Sequence, residues 1–163
     1  MATTPTLLEV LDAIGVSHGR FRGWEKRKLV DDQLSTTQGK ARTMTREAAL
    51  SLALLRFLVD SNVPAEEAAA KASEFAKDVA SSRNPRPHWF YSVGADEEPL
   101  RLATNNIPRQ QIEDMFDIRE GHVVGDEGLT ADEREFGRLI RRATVVYIPM
   151  GEIVRIVDKL FAR

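Results

Sequence analysis

The residues best suited to chemistry in this chain form one short basic stretch, from Ile14 to Leu29. Its first residues, Ile14-Gly15-Val16, predict a tight turn, because Gly15 can adopt a positive φ without steric cost. Ser17 then predicts a helix N-cap, whose hydroxyl accepts a hydrogen bond from a backbone N–H one turn later. The residues that follow predict a short helix rich in Lys and Arg.

The two sides of this predicted helix differ in character when residues are placed at about 100° intervals. One side is apolar and consists of Phe21, Trp24 and the aliphatic stem of Lys28. The other side is cationic and consists of His18, Arg22, Lys26 and Arg27. Gly19 and Gly23 also lie on the cationic side, where each costs the helix about 1 kcal/mol relative to Ala. We expect these glycines to let another molecule approach the backbone.

A helix held by an aromatic edge and showing cations outward suits the major groove of DNA. The alternative is a solvated amphipathic helix with a chance excess of cations, since short helix-turn-helix patterns match many unrelated sequences. Arg20 lies at the rim of the cationic side. Trp24 could stack on a base, although its helical phase favours packing within the protein, under the polar segment over 30–43. For Arg22, contact with a DNA phosphate is the favoured role.

The distribution of charge favours a nucleic-acid surface in this region. The whole chain carries a net charge of −2, which is not typical of a nucleic-acid-binding protein. Between Ser17 and Arg46, however, eight basic and three acidic residues give a local net charge of +5, and the remainder carries −7. A basic patch on an acidic body concentrates the attractive potential in one place.

Composition excludes several other classes of protein. Apolar residues make up 42% of the 163 residues, which is enough to form a core and argues against global disorder. The absence of cysteine excludes disulfides and thiolate metal sites and agrees with a cytoplasmic protein. No apolar run approaches the roughly 20 residues that span a bilayer, and residues 1–6 lack the features of a signal peptide. We therefore expect a cytoplasmic protein that does not enter membranes.

Other elements of the first half surround the basic helix. In chain order they are a helix over residues 7–13, a polar segment over 30–43, a helix over 45–61 and a helix over 64–81. Thr6 or Pro5 starts the first of these, and Thr45 caps the next helix with Glu47 close behind. Pro64 starts the last. The polar segment predicts a loop or two short strands around a glycine-containing tip, which would form a wing.

Residues 6 to about 80 resemble the winged helix-turn-helix of MerR-type transcription regulators. The matching pieces are Gly15-Val16-Ser17, Phe21-Arg22, Trp24, Glu25-Lys26-Arg27, Leu29, Arg42-Thr43-Met44-Thr45 and Ser61-Asn62-Val63-Pro64-Ala65-Glu66-Glu67-Ala68. The resemblance implies a dimer that reads a palindromic DNA site, with its second helix in the major groove and its wing on the phosphate backbone. Lys28 departs from the family pattern, which usually has Gly there, and Met44 stands where an aromatic residue is usual.

The second half predicts a small α+β domain. Pro85 and Pro87 break the helical pattern, so residues 83–87 predict a linker between a DNA-binding domain over 1–82 and a second domain over 88–163. The predicted elements are a strand over 88–93, a hairpin partner over 100–103, a helix over 108–116, a charged loop over 119–128, a helix over 130–140, a central strand over 144–148 and a final helix from about 151. This last helix is apolar over a wide arc, which predicts packing into a core or onto a second subunit. The whole chain is thus expected to be mainly α with some β.

Signs of catalysis or metal binding are weak. No phosphate-binding loop, dinucleotide fingerprint or nucleophile elbow is present. The segment from Gly121 to Gly128 could suggest a metal or phosphate loop, but it has few ligands and lacks the spacing of a Ca²⁺ loop. Aromatic residues 88–91 could line a small-molecule pocket, although core packing is the favoured interpretation. We expect neither an enzyme nor a bound metal or cofactor.

The leading hypothesis is a sequence-specific transcription regulator that binds double-stranded DNA, with homodimerisation expected and a protein partner or small-molecule effector at the second domain. The predicted DNA contacts are Ser17, His18, Arg20, Arg22, Trp24, Lys26 and Arg27, with Lys40 and Arg42 in the wing. One alternative is a phage-type architectural DNA protein, similar to an excisionase or a terminase small subunit. Another is an adaptor whose winged helix binds protein.

Overall fold

The computed structural model describes residues 4–30, 44–83, 85–94, 98–102 and 145–162. The predicted wing, with Lys40 and Arg42, lies outside the described residues. So do the helices predicted over 108–116 and 130–140 and the charged loop between them.

Five helices and three strands lie within the described ranges. The helices are α1 (Leu7–Ala13), α2 (His18–Lys26), α3 (Arg46–Asp60), α4 (Ala65–Ser81) and α5 (Met150–Phe161). The strands are β1 (His88–Ser92), β2 (Leu100–Leu102) and β3 (Val145–Ile148). The expectation of a mainly helical chain with some β structure is therefore confirmed. None of the described helices has the length and apolar character that crossing a bilayer requires.

The chain divides into two compact units, Met1–Pro85 with Gly151–Arg163 and Arg86–Met150. The chain passes from the first unit to the second between Pro85 and Arg86, and α5 groups with the N-terminal unit, whereas the sequence interpretation places it in a second domain over 88–163. Asp158 of α5 accepts two hydrogen bonds from the Arg46 guanidinium of α3, at 2.6 and 3.2 Å. An amphipathic helix shows from its sequence that one face is buried, but not which element covers it.

Side-chain caps define where the first helices begin. The Thr6 hydroxyl accepts from the backbone N–H of Glu9, and the Glu9 carboxylate accepts in return from the backbone N–H of Thr6 at 2.7 Å. The Ser17 hydroxyl at the start of α2 accepts from the backbone N–H of Arg20, and the Thr45 hydroxyl at the start of α3 accepts from that of Ala48. The predicted caps are confirmed, because a short polar side chain before a helix satisfies backbone donors that have no partner within the helix.

Three helices end in the same left-handed turn. The residue after each C-cap has a positive φ. Its backbone N–H and that of the next residue donate the two hydrogen bonds of the Schellman pattern. These residues are Gly15 after α1, Lys28 after α2 and Asn62 after α3, with φ of 68°, 56° and 63°. Each is followed by a buried apolar residue, namely Val16, Leu29 and Val63. The turns thus stop each helix and anchor the next segment in the core.

Helix α3 forms the centre of the N-terminal unit. Seven of its fifteen residues are buried, and it packs along α4. Leu50 and Leu54 have no exposed surface, and neither does Phe75 of α4. Helix α5 adds Ile153, Val157 and Leu160, which are also buried. This arrangement matches the prediction that the third helix is the core of the N-terminal half.

The second unit contains an antiparallel sheet with the strand order β2-β1-β3 among the described strands. The predicted pairing of residues 88–93 with 100–103 is confirmed, with Trp89 opposite Arg101. Among the described strands, β1 lies between β2 and β3, and β3 pairs with β1 along one edge. That residues 144–148 form a central strand stays a prediction, because residues 103–144 lie outside the described ones. Trp89, Phe90 and Tyr91 are each 1% exposed, and since successive side chains of a strand point to opposite faces, both faces of β1 are covered.

We expect Lys28→Gly to stabilise the fold by about 1 kcal/mol, because glycine adopts the left-handed conformation without the steric cost that other residues incur. Urea unfolding measures this difference. Lys28→Ala is the matched control, since it removes the charge but keeps a Cβ. Equal stabilisation by both substitutions would contradict the backbone explanation.

Candidate nucleic-acid interface

The orientation of α2 is set by the turn before it and by two aromatic side chains beneath it. Gly15 reverses the chain, and the backbone N–H of Val16 donates to Leu11 at 2.8 Å. Phe21 has no exposed surface and Trp24 is 5% exposed. Burial of two aromatic rings on one side of a nine-residue helix leaves its opposite side facing outward.

His18, Arg22 and Lys26 lie on this outward side and are all exposed. We call these three residues the cationic face. Among the described residues, Arg22 and Lys26 have no hydrogen-bond or ion-pair partner within the protein. Their charges are therefore not matched by a neighbouring carboxylate of the described chain. Unmatched cations aligned along one helix are the arrangement that phosphate oxygens bind.

The two glycines of α2 leave the backbone accessible beside the cationic face. A Cβ built at Gly19 or at Gly23 meets no heavy atom within 4 Å. Both residues lie in the helix with no positive φ, so nothing in the described structure requires glycine at either position. Glycine weakens a helix, so its presence at both positions needs another explanation. A partner that comes close to the backbone would supply one.

Arg20 is held by contacts within the protein. Its guanidinium donates to an Oδ of Asp60 at the end of α3, at 2.5 Å. The same guanidinium lies 5.1 Å from the centre of the Trp24 ring. Its side chain is 35% exposed, so it is only partly accessible to a ligand.

Asp60 joins Arg20 to a second arginine, Arg56. The Nε of Arg56 donates to Asp60 at 3.1 Å, and its Nη1 donates to the Ile14 carbonyl at 2.5 Å. One carboxylate therefore links α2 and α3, and through Arg56 the end of α1. The hydrogen bond from Arg20 is the main cause that lowers the pKa of Asp60. The charge of Arg20 and the weaker effects of Arg56 add to this, and partial burial opposes it.

Arg27, the C-cap of α2, forms a looser ion pair. It donates to Glu66 in the first turn of α4 at 3.0 Å, and the two side chains are 56% and 77% exposed. A hydrogen bond from its own backbone, followed by that from Arg27, lowers the pKa of Glu66. An ion pair this exposed contributes little to stability, so Arg27 can exchange its carboxylate for another anion.

The predicted contacts on α2 thus fall into three groups. One is the exposed cationic face, the second is the pair of arginines bound to carboxylates, Arg20 and Arg27, and the third is the buried Trp24. Ser17 caps α2 and is exposed, next to His18. The prediction that Trp24 contacts DNA is wrong for this structure, because a buried ring cannot present its face to a base. The stem of Lys28 does not share the apolar side either, since α2 ends before it and its side chain is exposed.

The carboxylates that partner these arginines were not identified from the sequence. Asp60 and Glu66 lie 40 and 39 residues from Arg20 and Arg27, and no periodic pattern connects residues so far apart. Only the pair of Arg56 and Asp60 has a local signal, since residues four apart are neighbours on a helix surface. Within the described parts of the chain, no three acidic or histidine side chains are grouped to hold a metal ion.

No protein-family model matches the chain. No curated protein matches it either.

We expect the contribution of the Asp60 ion pairs to stability to disappear in acid. The pKa of Asp60 is lower in the folded than in the unfolded chain, so the contribution is present above the ordinary value of 3.8 and lost as pH falls through the folded value. Because the side chains of Asp60, Arg20 and Arg56 are each about a third exposed or more, this contribution to stability is below about 1 kcal/mol.

Urea unfolding of the natural chain and of Asp60→Asn over a pH series tests this. The natural chain should be the more stable at neutral pH, and the difference should shrink towards acid. A difference that is constant over the series would show that charge on Asp60 does not stabilise the fold.

Proposed function

We propose that this protein binds double-stranded DNA through α2, which enters the major groove with the cationic face towards bases and flanking phosphates. In this proposal it acts as a sequence-specific transcription regulator, and a dimer would present two copies of α2 to the two halves of a palindromic site. The resemblance to MerR-type regulators supports this form of binding. The wing, with Lys40 and Arg42, would contact the phosphate backbone.

The observation that carries the proposal is the exposure of Arg22 and Lys26 without any partner in the described chain, on a helix anchored by buried aromatic residues. A rigid support matters because sequence readout needs side chains held at a fixed distance from base edges. The local excess of positive charge in an otherwise acidic chain also supports the proposal, since it directs a polyanion to one surface.

We expect Arg22→Ala to weaken binding to duplexes of any sequence and to reduce the slope of log affinity against log salt by about 0.9, the effect of losing one phosphate contact. Fluorescence anisotropy with a random-sequence duplex over a salt series measures both quantities. Lys77→Ala is the matched control, because Lys77 is an exposed cation on a different helix, α4.

Two results would contradict the proposal. One is an unchanged slope for Arg22→Ala. The other is the absence of salt-dependent duplex binding by the natural chain, which would favour the alternative in which the winged helix binds protein.

We expect Gly23→Ala to have opposite effects on stability and on binding. Removing glycine from a helix interior should stabilise the fold by up to about 1 kcal/mol, because a Cβ there meets open space. The added methyl group should hinder close approach of DNA and weaken binding by about tenfold, which corresponds to about 1.4 kcal/mol. Urea unfolding and anisotropy on the same preparation separate the two effects. A stabilised variant with unchanged affinity would exclude close contact at this position.

A further inference from the structure

We propose that the ion pair with Asp60 prevents Arg20 from contacting DNA. In this role Arg20 orients α2 and does not neutralise a phosphate. The inference rests on the proposed function and defines which cations of α2 take part in it. It also differs from the sequence-based expectation, in which Arg20 contacts DNA from the rim of the helix.

Three restraints hold the Arg20 guanidinium in place. Asp60 accepts its hydrogen bond at 2.5 Å, and the Trp24 ring lies beneath it at 5.1 Å. The third restraint acts on the acceptor, because Arg56 also donates to Asp60, at 3.1 Å. Arg20 can contact a phosphate only if it leaves both the carboxylate and the ring. Because the carboxylate has a second cationic partner, it remains in place to compete with the phosphate.

The contacts of this cluster fit a role in orientation. Arg56 reaches the Ile14 carbonyl at the end of α1, while Asp60 ends α3 and Arg20 lies near the start of α2. One carboxylate therefore ties α2 to α3 beside the turn that follows α1. A helix must be held at a fixed angle if its side chains are to reach base edges.

The charge of Arg20 is balanced at contact distance, in contrast to the cations of the cationic face. An adjacent opposite charge cancels most of the field that a phosphate would experience. Arg22 and Lys26 have no such neighbour among the described residues, and the carboxylate that pairs with Arg27 is 77% exposed and has one arginine partner. The net attraction of α2 for DNA therefore comes from a smaller set of cations than the sequence suggests.

The test is a double-substitution cycle on salt dependence, with a random-sequence duplex as the probe. Arg20→Gln removes the charge and keeps most of the aliphatic stem. Asp60→Asn removes the competing charge and keeps an oxygen that can accept a hydrogen bond from Arg56. Anisotropy across a salt series gives the slope of log affinity for the natural chain, the two single variants and the double variant. Far-ultraviolet circular dichroism and urea unfolding establish that each variant is folded.

Three results are expected together. Arg20→Gln leaves the slope of the natural chain unchanged, because its charge does not reach a phosphate. Asp60→Asn steepens the slope by about 0.9, since one further cation becomes free. In the Asp60→Asn background, Arg20→Gln removes that increase.

Either of two results would overturn the inference. One is a shallower slope for Arg20→Gln in the natural background. The other is a slope for Asp60→Asn that equals that of the natural chain, or that stays steeper when Arg20→Gln is added. A steeper slope that does not depend on Arg20 would come from Arg56 or from the change in net charge. Arg22→Ala in the same assay separates this inference from the proposed function. If Arg22→Ala leaves the slope unchanged, DNA binding by the cationic face is refuted; if it lowers the slope, the results for Arg20 and Asp60 decide the inference alone.

Discussion

Helix α2 depends on the burial of Phe21 and Trp24 against the rest of the N-terminal unit. A nine-residue segment with two glycines is too short and too weak a helix former to be stable alone in water. Tertiary burial of the two rings supplies the free energy that helix propensity does not. The same burial determines which side faces outward, so the exposure of His18, Arg22 and Lys26 follows from the packing of their neighbours.

The turns at the ends of α1, α2 and α3 return the chain to the core. Each left-handed turn after α1, α2 and α3 is followed by a buried apolar residue, so each helix stops where the chain must return to the core. Glycine at the first turn is the usual solution, but lysine and asparagine adopt the same conformation at the other two. Lys28 shows that the fold tolerates a strained residue where the surrounding contacts determine the backbone.

The cations of this region are of two kinds, although the sequence presents them as one group. Arg20, Arg27 and Arg46 each pair with a carboxylate of another helix. Arg22 and Lys26 project from the helix with no partner in the described chain. Counting Lys and Arg over residues 17–46 therefore identifies the region but overstates the charge available to a ligand. The carboxylates that make the difference come from α3, α4 and α5, which follow α2 in the chain.

Local sequence patterns determined much of this protein. The caps Thr6, Ser17 and Thr45, the bounds of the first four helices, the hairpin of β1 and β2 and the buried side of α2 could all be predicted. The reason is that capping, turn geometry and periodic burial act between residues a few positions apart. The tertiary structure alone decided the remainder. It placed α5 with the N-terminal unit, paired β1 with β3 and paired Arg20 with Asp60. Each of these contacts joins segments far apart in the chain, between which a single sequence carries no periodic signal.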